Sequence, residues 1–278
     1  MAAVLLALAA SASWGISDFL GGVKTRVAPV LTVLSVSQPA GIILLGTIVL
    51  VRWQPPPHGL PILWAVLAGV GGAIGIGALY QGLAIGSMGI VAPITSTSPL
   101  IPLTVGLARG ERPSALQLAG IGVAIVGVAL AGWEPTAPGA RRQLGTGVGL
   151  AILAAVAFGS SQVALQSAAA DDPYWATLIL RIASSVLVLA ALLRIRPGRG
   201  PAGMVLVLIT IGLLDSGATE LFAIATTKGL LSLVAVLAAL YPVLVAILAR
   251  IVLHERLTFV QRGGALAAVA GAAAISAG

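Results

Sequence analysis

Four ionisable side chains lie inside otherwise apolar stretches of this chain: Asp18, Arg181, Asp215 and Glu220. A charge at hydrocarbon depth is costly, so each is a candidate for function, with structural pairing to a nearby opposite charge as the competing role. Asp18 follows Trp14 by one helical turn, which puts a carboxylate and an aromatic ring on one helix face. That pair suits an amine or an organic cation, held by charge and by the face of the ring, and Trp14 also has a purely packing role open to it. Arg181 and Asp215 sit near the centres of their stretches, so they either pair with each other or line a common lumen. Asp215 and Glu220 diverge by about 140° around a helix, too far apart in direction to address one small ligand together. A carboxylate without a permanent partner at this depth can exchange a proton, which makes protons the candidate coupling ion.

Uncharged polar groups form a second set: Gln38 before Pro39, Tyr80 and Gln81, the run Thr95-Ser96-Thr97-Ser98 before Pro99, Ser160-Ser161-Gln162, and Tyr241 before Pro242. Proline inside a span frees a carbonyl and lets a helix bend, a device used where helices gate or bind, although such kinks also occur without function. The candidate substrate-binding residues are therefore Trp14, Asp18, Gln38, Tyr80, Gln81, Gln162, Arg181, Asp215, Glu220 and Tyr241.

Enzymatic chemistry finds little here. Both histidines, His58 and His254, fall between apolar stretches, "HERLT" lacks the second histidine of HExxH, and neither a Gly-x-Ser-x-Gly elbow nor a P-loop is present. The glycines of "AGVGGAIGIGALYQG" lie mid-stretch with no preceding strand, which suits helix packing and not a phosphate cradle. Zero cysteines remove disulfides, thiolate metal sites and a cysteine nucleophile. No catalytic residue, cofactor or metal is expected.

Only 8% of the residues are charged and 59% are hydrophobic, against about 25% charged in an ordinary soluble domain. The apolar residues come in runs of about 20, the length a helix needs to cross a hydrocarbon core. The net charge of +7 is spread singly or in pairs between these runs, which suits membrane anchoring and not nucleic acid. Ten apolar spans are expected, at roughly 2–21, 28–51, 61–86, 88–108, 115–133, 146–168, 174–193, 203–228, 230–250 and 260–277. All should be helical, since a segment in lipid must satisfy its own backbone. The opening "MAAVLLALAASASWG" has no basic n-region, so it reads as a retained first span and not as a signal peptide. Trp53, Trp64, Trp133 and Trp175 fall at span ends, as interfacial anchors should.

The chain is written twice. "GERPSALQLAGIGVAIVGVALAG" from Gly110 returns as "HERLTFVQRGGALAAVAGAAAISAG" from His254, an offset of 144 that aligns Glu111 with Glu255, Gln117 with Gln261, Gly120 with Gly264 and Gly127 with Gly271. The same offset puts Trp14-Gly15 on Phe158-Gly159 and Pro29 on Pro173, while an offset of 143 puts Gly86 on Gly229 and Pro99 on Pro242. "SALQ" and "TFVQ" both read as capping boxes, which accounts for part of the recurrence, and the recurring glycines suit close helix packing. Five spans per half is an odd number, so the second half must cross in the opposite sense. The expected fold is an all-α integral membrane protein of ten transmembrane helices in two inverted five-helix repeats, residues 1–136 and 144–278, joined by a linker at 137–143.

Two five-span halves, each closing on "GER" or "HER" and a Gly/Ala-rich helix, resemble the EamA family of the drug/metabolite transporter superfamily. Trp14-Gly15, "ALYQGLAIGSMGIVAPITSTSPLIPLTVGLARGERPS" and "AVLAALYPVLVAILARIVLHERLT" carry the likeness, which spans essentially the whole chain. The resemblance implies ten helices around a central cavity, alternating access, and export of small organic metabolites such as amino acids from the bacterial inner (plasma) membrane. A phosphorylated-sugar or nucleotide-sugar exchanger of the same superfamily would need basic groups in the cavity, and only Arg181 lies well inside a span. A non-transporting scaffold or channel is the alternative outside the superfamily. Family habit puts both termini in the cytoplasm. The loops after odd-numbered spans hold most of the Lys and Arg, which by the positive-inside rule puts both termini outside, so orientation stays open between the two.

Overall fold

The computed structural model describes residues 1–278 except 26, 86–90, 92–93, 134–143, 196–202 and 255–257, together with the side chains of 80, 83–85 and 144–145. The described chain folds as helices α1 (Ala2–Thr25), α2 (Val30–Arg52), α3 (Leu60–Ile85), α4 (Leu100–Ala108), α5 (Ala115–Ala131), α6 (Leu144–Ala169), α7 (Pro173–Arg194), α8 (Val205–Thr226), α9 (Leu231–Ala238), α10 (Tyr241–Val252) and α11 (Phe259–Ala277). Among the described residues eight stretches are long and apolar enough to cross a membrane: α1, α2, α3, α6, α7, α8, the α9–α10 stretch and α11. A ninth, α5, is a shorter apolar helix.

Two expected spans depart from a continuous helix. The 230–250 span breaks at Ala239 and Leu240 between α9 and α10, and the chain turns at 96–99 before α4. Pro242 and Pro99 explain both: each lacks the N–H its helix would need, and each ring crowds the carbonyl one turn back. The linker region 137–143 lies outside the described residues.

The duplicated phrase builds one tight contact. Ser114 and Thr258 each accept from a backbone N–H three residues on, at 3.2 Å from Gln117 N and 3.2 Å from Gln261 N, while their own amides donate to those glutamines at 2.9 and 2.8 Å. Both capping boxes are therefore formed. The helices they start, α5 and α11, run antiparallel with backbones touching: a Cβ on Gly127 would lie 2.3 Å from Ala268 N, and one on Gly264 would lie 2.4 Å from Ala131 N. Lipid gives helices no hydrophobic reason to associate, so such backbone approach supplies the dispersion contacts that hold them.

Elsewhere the two halves pack on each other by matching contacts. Ser17 of α1 donates to Ile211 O of α8 at 3.1 Å, and Ser161 of α6 donates to Ala68 O of α3 at 2.6 Å. A Cβ on Gly212 of α8 would lie 2.0 Å from Ser37 O of α2, and one on Gly69 of α3 would lie 2.4 Å from Leu180 O of α7. Gly15 of α1 sits under Leu244 and Tyr241 O at the start of α10, and Gly159 of α6 under Ile101 and Ser98 O at the start of α4. Each pair is related by the offsets of 144 or 143 found in the sequence. Gly212→Ala is expected to cost about 1–3 kcal/mol through overpacking of α8 on α2, read as a lowered melting temperature in detergent. Gly217→Ala on the same helix meets open space and is the control.

The polarity of the bundle suits a lipid solvent. Leu5, Ile43, Leu189, Leu206 and Leu266 are exposed on the outside, whereas Ser17, Thr177, Arg181, Ser216, Glu220 and Ser232 are buried.

Candidate functional site

The polar interior is built where α1, α2, α7 and α8 meet, and α7 sets its position. Asp172 caps that helix, accepting from Tyr174 N at 2.8 Å and Trp175 N at 3.0 Å, with Pro173 at the first helical position where no N–H is missed. The same carboxylate pairs with Arg52 at the end of α2, at 2.8 and 3.0 Å, and the guanidinium lies 3.9 Å above the Tyr174 ring. This clamp ties the end of α2 to the start of α7.

Going inward along α7, Thr177 is fully buried and donates to Glu220 of α8. One turn further, Arg181 reaches Asp215 of α8 at 2.7 Å and Gln38 of α2 at 3.1 Å, and Ser185 donates to Arg181 O at 2.6 Å. Asp215 and Glu220 thus answer to different partners on successive turns of α7. The ion pair is lopsided: the Arg181 side chain is 9% exposed and the Asp215 side chain 34%, so the carboxylate forms the open edge. Burial of a polar pair is tolerable where both charges and most donors are met, and here Arg181 Nε is left without a partner.

Asp18 sits beside this pair. The residue is exposed on a helix packed closely against α8, and the Asp215 charge reaches it. Among the described residues no hydrogen bond or ion pair engages it. One turn away on α1, Trp14 lies 5.8 Å from Phe222 and 6.4 Å, edge-on, from Tyr241. Trp14, Asp18, Gln38, Arg181, Asp215, Glu220 and Tyr241 are therefore carried on one contiguous set of helices. Gln81 and Gln162 are not brought to it: they belong to the α3–α6 pair, Gln81 is exposed, and Gln162 Oε1 is buried without a partner. The side chain of Tyr80 lies outside the described residues.

Four further residues hold these helices in place, none of them in the candidate set read from the sequence. Thr177 stands four residues before Arg181, a spacing that puts both on one face. Arg52 and Asp172 are the end charges that clamp α2 to α7. Glu111, the acid of the duplicated phrase, crosses to the other half and accepts from Leu231 N at 2.6 Å and Ser232 N at 3.0 Å, capping α9. Two charge-assisted bonds of this kind are worth about 1.5–3 kcal/mol each, so Glu111→Ala is expected to loosen α9, seen as faster amide exchange at Leu231 to Val234. Unchanged protection there would show that the cap does not hold the helix.

Both halves of the sequence match one family model, the EamA-like transporter family, over residues 1–133 and 145–277. The chain belongs to that family. EamA-like proteins are membrane transporters, and this chain is a multi-pass integral membrane protein on the strength of that membership and its apolar helices. No curated protein matches the EamA-like chain. It is similar to a solved structure described only as "Crystal structure of protein", with a TM-score of 0.78 and 21% identity over 98% of this chain and 95% of that one, a likeness of fold.

Proposed function

We propose that this EamA-like chain is a secondary transporter, an exporter of amino acids or other amine-bearing solutes from a bacterial inner (plasma) membrane, working by alternating access. The observation that carries the substrate class is Asp18: an exposed acidic residue without a partner among the described residues, one turn from the Trp14 ring and beside an ion pair whose open edge is also a carboxylate. Such a wall attracts an ammonium group by charge and by the ring face. An anionic sugar phosphate finds the one central guanidinium, Arg181, already neutralised by Asp215. Gln38 and Tyr241 complete the proposed binding set.

The same reading takes the chain as ten spans in two inverted repeats, residues 1–136 and 144–278. The reciprocal contacts support it. α1 meets α8 antiparallel just as α6 meets α3, and α2 runs alongside α8 in the same direction, with Ser37 at Gly212 and Gly41 at Ser216. α1 and α6, which begin the two halves, then point in opposite directions, and rocking one half against the other would open the cavity to each side in turn.

A thermal-shift panel of amino acids, polyamines and organic cations tests the binding claim. A true ligand at 100 times its Kd adds about 2.7 kcal/mol of stability. The shift is expected for an amine-bearing member and should fall to about 0.9 kcal/mol in Asp18→Asn at the same concentration. A panel with no shift, or shifts equal in the variant, would contradict it.

A further inference from the structure

We propose that Glu220, with Thr177 and Ser216, forms a proton-binding site separate from the Asp18–Asp215 edge that meets substrate. This rests on the transporter reading and names the site of its coupling ion.

Glu220 is 6% exposed, and Thr177 and Ser216 are fully buried. Only one oxygen of Glu220 has a partner, the Thr177 hydroxyl; Oε1 has none. Ser216, one turn back on the same face of α8, also has an oxygen without a partner. The charges that face this place from each packed helix are already committed. Arg52 of α2 is held by Asp172 of α7, and Arg181 of α7 is held by Asp215 of α8. Asp18 of α1 has the same sign as Glu220, Tyr174 of α7 lies under Arg52, and α6 and α9 bring no titratable side chain. An ionised Glu220 would be a buried charge with no opposite charge assigned to it, an arrangement a low-dielectric interior disfavours.

A proton removes that charge, and the surroundings accept it without rearrangement. Thr177 Oγ1 lies 3.1 Å from Pro173 O and 3.0 Å from Tyr174 O. With the carboxyl protonated, Glu220 donates to Thr177 Oγ1 and the threonine passes its own hydrogen to one of these carbonyls. When the proton leaves, the threonine turns its hydrogen back to the carboxylate. One hydroxyl, both donor and acceptor, thus serves both states. A hard metal cation would need about six oxygens, and this place offers one carboxyl and two hydroxyls beyond carbonyls already engaged. Along α7 the site falls between the Arg52–Asp172 clamp and the central Arg181–Asp215 pair, a turn or so from each, so a proton held at Glu220 can bias the pair that borders the substrate.

Infrared difference spectroscopy of the reconstituted full-length protein, between acidic and alkaline buffer, reads the site without any substrate. The wild type should show the carbonyl band of a protonated carboxylic acid that titrates with pH. That band is lost in Glu220→Gln. In Thr177→Val, which keeps the carboxyl, it moves to higher frequency as the hydrogen bond disappears. A band unchanged by either substitution, or one displaced by sodium at constant pH, would overturn the proposal. Counterflow measured on the same vesicles separates the two claims: counterflow without the band leaves transport standing and removes the proton site, and the band without counterflow does the reverse.

Discussion

Asp215→Ala is expected to destabilise the purified protein by about 3 kcal/mol, the lower end of the range for breaking a buried ion pair. What remains after the substitution is the Arg181 charge, 9% exposed, with Gln38 as its one side-chain partner. The lower end applies because Asp215 itself is 34% exposed, so water reaches the gap. The converse change, Arg181→Met, leaves the more accessible member and should cost less. Replacing both together, Arg181→Met with Asp215→Leu, should recover most of the stability, since a buried pair is often no better than apolar groups of the same volume. Thermal unfolding in detergent gives all three values. Equal losses from the two single variants would mean that the pair is not lopsided in the way its exposure indicates.

Asp18→Asn is expected to leave folding intact and to raise the Kd for an amine-bearing solute about 30-fold, from the loss of one charge-assisted hydrogen bond of about 2 kcal/mol. The side chain keeps its size, and among the described residues it has no structural partner to lose. Binding measured by the thermal-shift panel separates this from a folding defect, because the unliganded melting temperature should not move. A variant that binds as tightly as the wild type would place the amine elsewhere.

Much of this was legible in the sequence because it depended on local or periodic information. The capping boxes needed only a hydroxyl and a glutamine three residues apart, and both formed. The duplicated glycines announced close contact, and the partner of α5 turned out to be its own copy, α11. The four central charges stood out against apolar surroundings, and the Arg181–Asp215 pair was one of two roles open to them. What stayed hidden depended on contacts made across the fold. Thr177 reaches Glu220 only because α7 and α8 lie side by side, and nothing about a threonine in a helix announces that partner. Glu111 caps a helix 120 positions away, in the other half. The break between α9 and α10 was foreshadowed by Pro242, but proline alone does not distinguish a kink from an interruption. Gln81 and Gln162 entered the candidate set on polarity, and their helices carry them to the α3–α6 pair.

Counterflow in proteoliposomes holding only the full-length chain tests the central claim most directly. Vesicles loaded with an unlabelled amino acid, polyamine or organic cation should accumulate the labelled solute from outside, with saturation and, for a chiral solute, a preference for one enantiomer, and Asp18→Asn should shift half-saturation for amine-bearing solutes to about 30-fold higher concentration. Flux that never saturates and ignores stereochemistry, or no flux of any of these solutes, would contradict a transporter with an amine site between α1 and α8.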